Sequence, residues 1–134
     1  MKGVAAYAAV QRKTFDPMQF EHDALLRAAY EIEATADAHF AEHIAALQRN
    51  MELWNTFASD CAETGNGLPP ELRANIISLA IWVTNHTRKV IGDQAPVAPL
   101  CDINRTVATG LNNALAKRRE MQEQALSQRP ISVG

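Results

Sequence analysis

His39-Phe40-Ala41-Glu42-His43 spells the H-x-x-E-H form of a zinc hydrolase motif, with two histidines four apart on one helical face and a carboxylate to activate water. That chemistry needs a third protein ligand and a substrate cleft, and three fixed positions in five arise readily by chance. Phe40 and Ile44 claim the buried side of the same helix, so His39 and His43 read as surface residues. Cys61 and His86 could pair as nucleophile and base if the segment between them folds back on itself, yet no orienting third group or oxyanion turn accompanies them. Cys61 falls on an apolar helical stripe, where a thiol is structural. Gly65-x-Gly67 precedes a helix as a phosphate loop would, but that helix opens with Pro69-Pro70, which lack N–H groups for an anion. No catalytic residue, metal ligand or cofactor is assigned, and the chain is expected not to be an enzyme.

Two polar clusters remain. Lys117-Arg118-Arg119 could grip phosphates, but no stacking aromatics flank it. It reads as a solvated helix end whose cations suit the C-terminal dipole. In Asp102-Ile103-Asn104-Arg105, Ile103 is expected inward, and Asp102 and Arg105 are close enough on a helix to pair. Asn104 lies beside the buried stripe, where its amide could bind a backbone group across the fold and set packing or register.

Composition limits the rest. With 134 residues and 47% hydrophobic content, the chain is one domain long and can build one core. A net charge of −2 gives no global field toward nucleic acid or membrane. The balance conceals an asymmetry: from Glu21 to Glu63 nine carboxylates face only Arg27 and Arg49, and after Glu71 cations prevail. Cys61 and Cys101, with 39 residues between them, have no metal spacing and suggest reduced, buried thiols. Val4 to Val10 is too short and wrongly flanked for a secretion signal, and no run reaches the ~20 apolar residues of a membrane span. A soluble cytoplasmic protein without membrane association is expected.

The elements that must position these residues are helices throughout, since no segment sustains strand alternation. Gly3 to Lys13 predicts a short first helix. Asp16-Pro17 starts the next, which places Met18, Leu25, Leu26, Ala29, Ile32 and Ala36 on its inner side and breaks near Thr35-Ala36-Asp37. Phe40, Ile44, Leu47, Met51, Trp54, Ala58 and Cys61 then step by four and three, with Glu42, Arg49 and Glu52 facing away. Gly65 stops this helix and Pro69-Pro70-Glu71 opens another. Its inner line is Leu72, Ile76, Leu79, Val83 and Val90; Ile77, Ile81 and Trp82 make it apolar almost all round. After Gly92 a last helix aligns Leu100, Ile103, Val107, Leu111, Ala114 and Arg118, broadened by Leu115. The expectation is an all-α, single-domain bundle of four to five helices with short loops, spanning residues 1–128, with 129–134 as a tail.

Both tryptophans, Trp54 and Trp82, flank the turn between the two most apolar helices. Leu53-Trp54, Asp60-Cys61, Gly65-Asn66-Gly67-Leu68-Pro69, Leu72-Arg73, Ile76-Ile77-Ser78-Leu79, Ile81-Trp82-Val83 and Asp102-Ile103-Asn104-Arg105 with Gly110-Leu111 resemble FlaF, the flagellar biosynthesis regulatory family. Ala6-Tyr7 is similar to that family's opening, and the likeness is best from Asn50 to Leu111. The resemblance implies a small helical protein that binds flagellin as its secretion chaperone, with FlbT as an opposing counterpart and possible second partner. A chaperone of that kind needs an apolar surface, for which Leu53, Trp54, Phe57, Ile77, Ile81 and Trp82 are candidates, oriented by the turn residues Gly65, Asn66, Gly67 and Pro69. The alternative is a regulator of flagellin mRNA, acting through Lys117 to Arg119 or through FlbT.

Overall fold

Asp16 begins the first described helix as a cap: its Oδ1 accepts from the Met18 N–H at 3.0 Å, and Pro17 occupies the first turn. The computed structural model describes residues 16–128, so the helix expected over Gly3 to Lys13 and the tail 129–134 lie outside the described residues. Among the described residues four helices follow one another: α1 Pro17–Ala34, α2 Phe40–Ala62, α3 Pro70–Ile91 and α4 Ala98–Ser127. Among the described residues there is no strand. The α1–α2 break falls where Thr35 turns its hydroxyl back to the Glu31 carbonyl at 2.8 Å, and backbone bonds tighten from Ala36 to Glu33 and from Ala38 to Thr35.

Short loops make neighbouring helices antiparallel. Cys101 and Asn104 of α4 reach Ala29 and Leu25 of α1, so these two run in opposite directions, as do α2 and α3 through Thr84 and Asn55. The closest packing is of α1 on α4 and of α2 on α3. The result is an up-down-up-down, all-α, single-domain bundle. At 1.5 Å per residue α4 is about 45 Å long against about 27 Å for α1. Its last residues, 119–128, are therefore exposed beyond the bundle.

The core runs through Leu25, Ala29 and Ile32 of α1, Leu47, Trp54, Phe57 and Cys61 of α2, Ile76, Ala80 and Val83 of α3, and Leu100, Val107, Leu111 and Leu115 of α4. Several expected inner positions differ. Leu26 is exposed because Leu25, Ala29 and Ile32 already fill the arc toward the neighbours, and Leu26 lies about 100° round from Leu25. Ala36 lies past the helix end, and Phe40, the first residue of α2, is 71% exposed at the rim. On α3 the fully buried line is Ile76, Ala80, Val83 and Thr87, leaving Leu72, Leu79 and Val90 half-buried. On α4, Asn104 is buried where Ile103 was expected inward, and Ile103 is half-buried.

Candidate functional site

The α2–α3 turn is built from its own polar groups. Gly65 adopts φ +86°, a left-handed conformation that other residues enter at a cost. Asn66 donates from Nδ2 to the Asp60 carbonyl at 3.0 Å and accepts from the Leu68 N–H at 3.0 Å, which swings Leu68 into the core. Arg73 reaches back from α3, donating from Nε to the Cys61 carbonyl at 2.8 Å and from Nη2 to the Glu63 carbonyl at 3.0 Å. The Cys61 carbonyl lies in the last turn of α2, and the Glu63 carbonyl, which also accepts from the Asn66 N–H at 3.3 Å, lies just beyond it, so the guanidinium helps cap the helix from α3. Gly67 has open space around it, and Pro69 precedes the first turn of α3.

The six apolar candidates on this hairpin separate into two groups. Trp54 is wholly buried and Phe57 nearly so, with ring centroids 6.5 Å apart; Leu53 and Ile77 are half-buried against the core. Ile81 and Trp82 face out, 64% and 36% exposed. Trp82 stacks on His86 with centroids 4.6 Å apart and planes 15° from parallel. His86 in turn donates from Nε2 to the Pro96 carbonyl at 2.7 Å, which fixes both rings against the α3–α4 loop. An aromatic held in this way has already lost much of the rotamer freedom that binding would otherwise remove.

Asn104 anchors a buried polar centre. Its Oδ1 accepts from the Trp54 indole N–H at 2.8 Å, and its Nδ2 donates to the Leu25 carbonyl at 3.0 Å and to Asn50 Oδ1 at 2.7 Å. Three helices thus meet at one amide, and the diagonal pair α2 and α4 is joined through side chains. Asn50 is also fully buried, and its Nδ2 has no hydrogen-bond partner. The sequence reading had not singled out Asn50. Its only signal was position, seven before Phe57 and four before Trp54, on the buried stripe. Arg105 pairs with Glu33 of α1 at 2.7 Å, and Asp102 is exposed.

The remaining chemical candidates are dispersed. His39 stands at the N-cap of α2, and His43 meets the Thr35 hydroxyl at 3.1 Å. Cys61 lies at the α2 end of the turn, whereas His86 is near the opposite end of α3. Burial pushes the Cys61 and Cys101 thiols up to about 11, far from a reactive thiolate. Arg118 binds Asp16 Oδ2 at 3.3 Å, and Lys117 and Arg119 point to solvent with Glu120 and Glu123 soon after.

A cleft of about 440 Å³ opens beside the turn, within the size range of ligand sites. Met18, Phe57 and Leu68 supply apolar lining, and Asp16, Glu21, Asp60 and Arg118 supply charge. Glu21 is the unusual member. Its Oε2 is shielded from solvent and has no hydrogen-bond partner, and burial, reinforced by the Asp60 charge, pushes its carboxyl up to about 7. Sequence reasoning missed this group, although a carboxylate three residues after Met18 and four before Leu25 lies on the inner side of α1.

Among the described residues, fold and surfaces together define a small antiparallel four-helix bundle with a hairpin closed by its own polar groups, a pinned exposed aromatic and an acidic cleft. The chain belongs to the flagellar protein FlaF family, whose model matches residues 4–111. It is thus a flagellar protein, and the match reaches well beyond the region from Asn50 onward where the resemblance is clearest by eye. No curated protein and no solved structure matches the chain. Among the described residues no helix is long and apolar enough to cross a membrane.

Proposed function

We propose that this protein binds flagellin in the cytoplasm as a secretion chaperone, and thereby promotes flagellin synthesis and filament assembly. The carrying observation is the exposed pair Ile81 and Trp82 on α3, in a chain of the FlaF family. An amphipathic flagellin segment laid along α3 would cover Ile81 and engage Trp82, whose orientation is set by His86 and Pro96. Ile77, one turn before Ile81, extends that stripe, and the buried Trp54 and Phe57 support it from within. The mechanism is binding without turnover, in which mass action favours capped flagellin over its aggregates. FlbT would act as the opposing regulator.

Co-expression with flagellin followed by size exclusion tests this reading. Wild type elutes with flagellin, whereas Trp82→Ala and Ile81→Asp weaken co-elution and keep wild-type helical content by circular dichroism. Absence of a wild-type complex would refute the chaperone role. Loss of helical content in either variant would show that these residues hold the fold and do not form a docking surface.

A further inference from the structure

The cleft beside the α2–α3 turn has a charge balance that its own residues leave incomplete. Of its three carboxylates, Asp16 is matched by Arg118 at 3.3 Å. Glu21 and Asp60 are close enough to repel, and no salt bridge involves either of them among the described residues. The charged groups that line the cleft with Glu21 are Asp16 at the start of its own helix, Asp60 on α2 and Arg118 on α4, and Arg73 at the start of α3 lies beside Cys61, next to Asp60. Arg73 is committed to the Cys61 and Glu63 carbonyls, so neither arginine is free to neutralise the pair. Apolar walls adjoin this anionic spot, namely Met18, Phe57 and Leu68.

An extended alkyl chain ending in a cation satisfies both halves of such a site. Lysine and arginine side chains have this form, with a methylene stem that prefers apolar contact and a head that seeks carboxylates. We propose that the cleft is a docking site for a lysine or arginine side chain of a partner polypeptide, its stem against Met18, Phe57 and Leu68 and its cation between Glu21 and Asp60. The inference is independent of which polypeptide α3 binds, and it concerns a different face.

Cation binding requires an ionised Glu21, so occupancy and deprotonation are linked. Since the free carboxyl titrates near 7, binding draws that midpoint down, and affinity falls roughly tenfold for each pH unit below it. The experiment uses the full chain, isotopically labelled, with N-acetyl-lysine methylamide as probe and N-acetyl-norleucine methylamide as its uncharged counterpart. NMR follows the amides of Asp60, Asn66 and Gly67 and the Glu21 carboxyl carbon. The expected result is saturable shifts with the lysine probe, a lowered Glu21 midpoint at saturation, and binding about tenfold weaker for the norleucine probe. Glu21→Gln, isosteric with the protonated acid, should keep the remaining spectrum and lose the pH dependence. Equal response to both probes, no saturable shift, or unchanged binding by Glu21→Gln would each overturn the proposal.

Discussion

Replacing Asn104 by alanine tests whether its amide organises the bundle. The substitution removes three hydrogen bonds and leaves two buried groups without partners, the Trp54 indole N–H and the Asn50 carbonyl oxygen. The Leu25 carbonyl is less affected because it sits within α1, where helix geometry supplies a backbone donor. Each orphaned group costs about 1–3 kcal/mol, so the expected loss from the two is about 2–6 kcal/mol. Against a typical total of about 5–15 kcal/mol, that is a large share of stability. Urea denaturation followed by circular dichroism measures it, and the melting temperature should fall by about 10–20 °C. Making the whole centre apolar, as Asn104→Leu with Asn50→Leu and Trp54→Phe, should recover most of the loss, because no polar group is then stranded. Asn50→Leu alone should change stability by less than about 1 kcal/mol, since it also removes the unpartnered Nδ2. A cost below about 1 kcal/mol for Asn104→Ala, or a triple variant as unstable as the sum of its parts, would refute the reasoning.

Glu21→Gln should stabilise the fold at pH 8 and leave it unchanged near pH 4. The folded carboxyl titrates near 7 against an ordinary 4.5, so ionisation favours the unfolded chain as pH rises through that window, and the penalty is complete above 7. Full conversion gives about 3 kcal/mol; because the group is only partly desolvated, about 1–2 kcal/mol should appear in melting curves across that range. Arg73→Met should cost about 1–2 kcal/mol by uncapping α2, with hydrogen exchange accelerating first at its C-terminal turn. Gly65→Ala should cost about 1 kcal/mol in chemical denaturation through the left-handed backbone, since the space around the position is open.

The ends of the elements were legible because their signals are local. Asp16-Pro17, Gly65 and Pro69-Pro70 act within a few residues, and a helical period needs no knowledge of what packs against it. The hairpin was equally visible, since both of its helices and its turn are contiguous. The break at Thr35 was harder to read, because a hydroxyl bonding back to Glu31 replaces the usual glycine or proline. Of the proposed docking residues, their apolarity was plain but their direction was not. Trp54 and Trp82 are the same residue type, yet one is sealed inside and the other stacks on His86 at the surface.

Sequence by itself determined that the described chain is all-α, the helix ends marked by Asp16-Pro17, Gly65 and Pro69-Pro70, and membership of the FlaF family, all of which rest on residue order and short-range chemistry. Only the tertiary structure decided that Leu25 faces in and Leu26 out, that Asn50 joins Asn104, and that Asp16 meets Arg118 from 102 residues away. The reason is geometric. Each helix offers an apolar arc wider than the core can accept, and its neighbours choose which part is covered. Likewise the Glu21 carboxyl is unusual only because α2 and the turn enclose it beside Asp60.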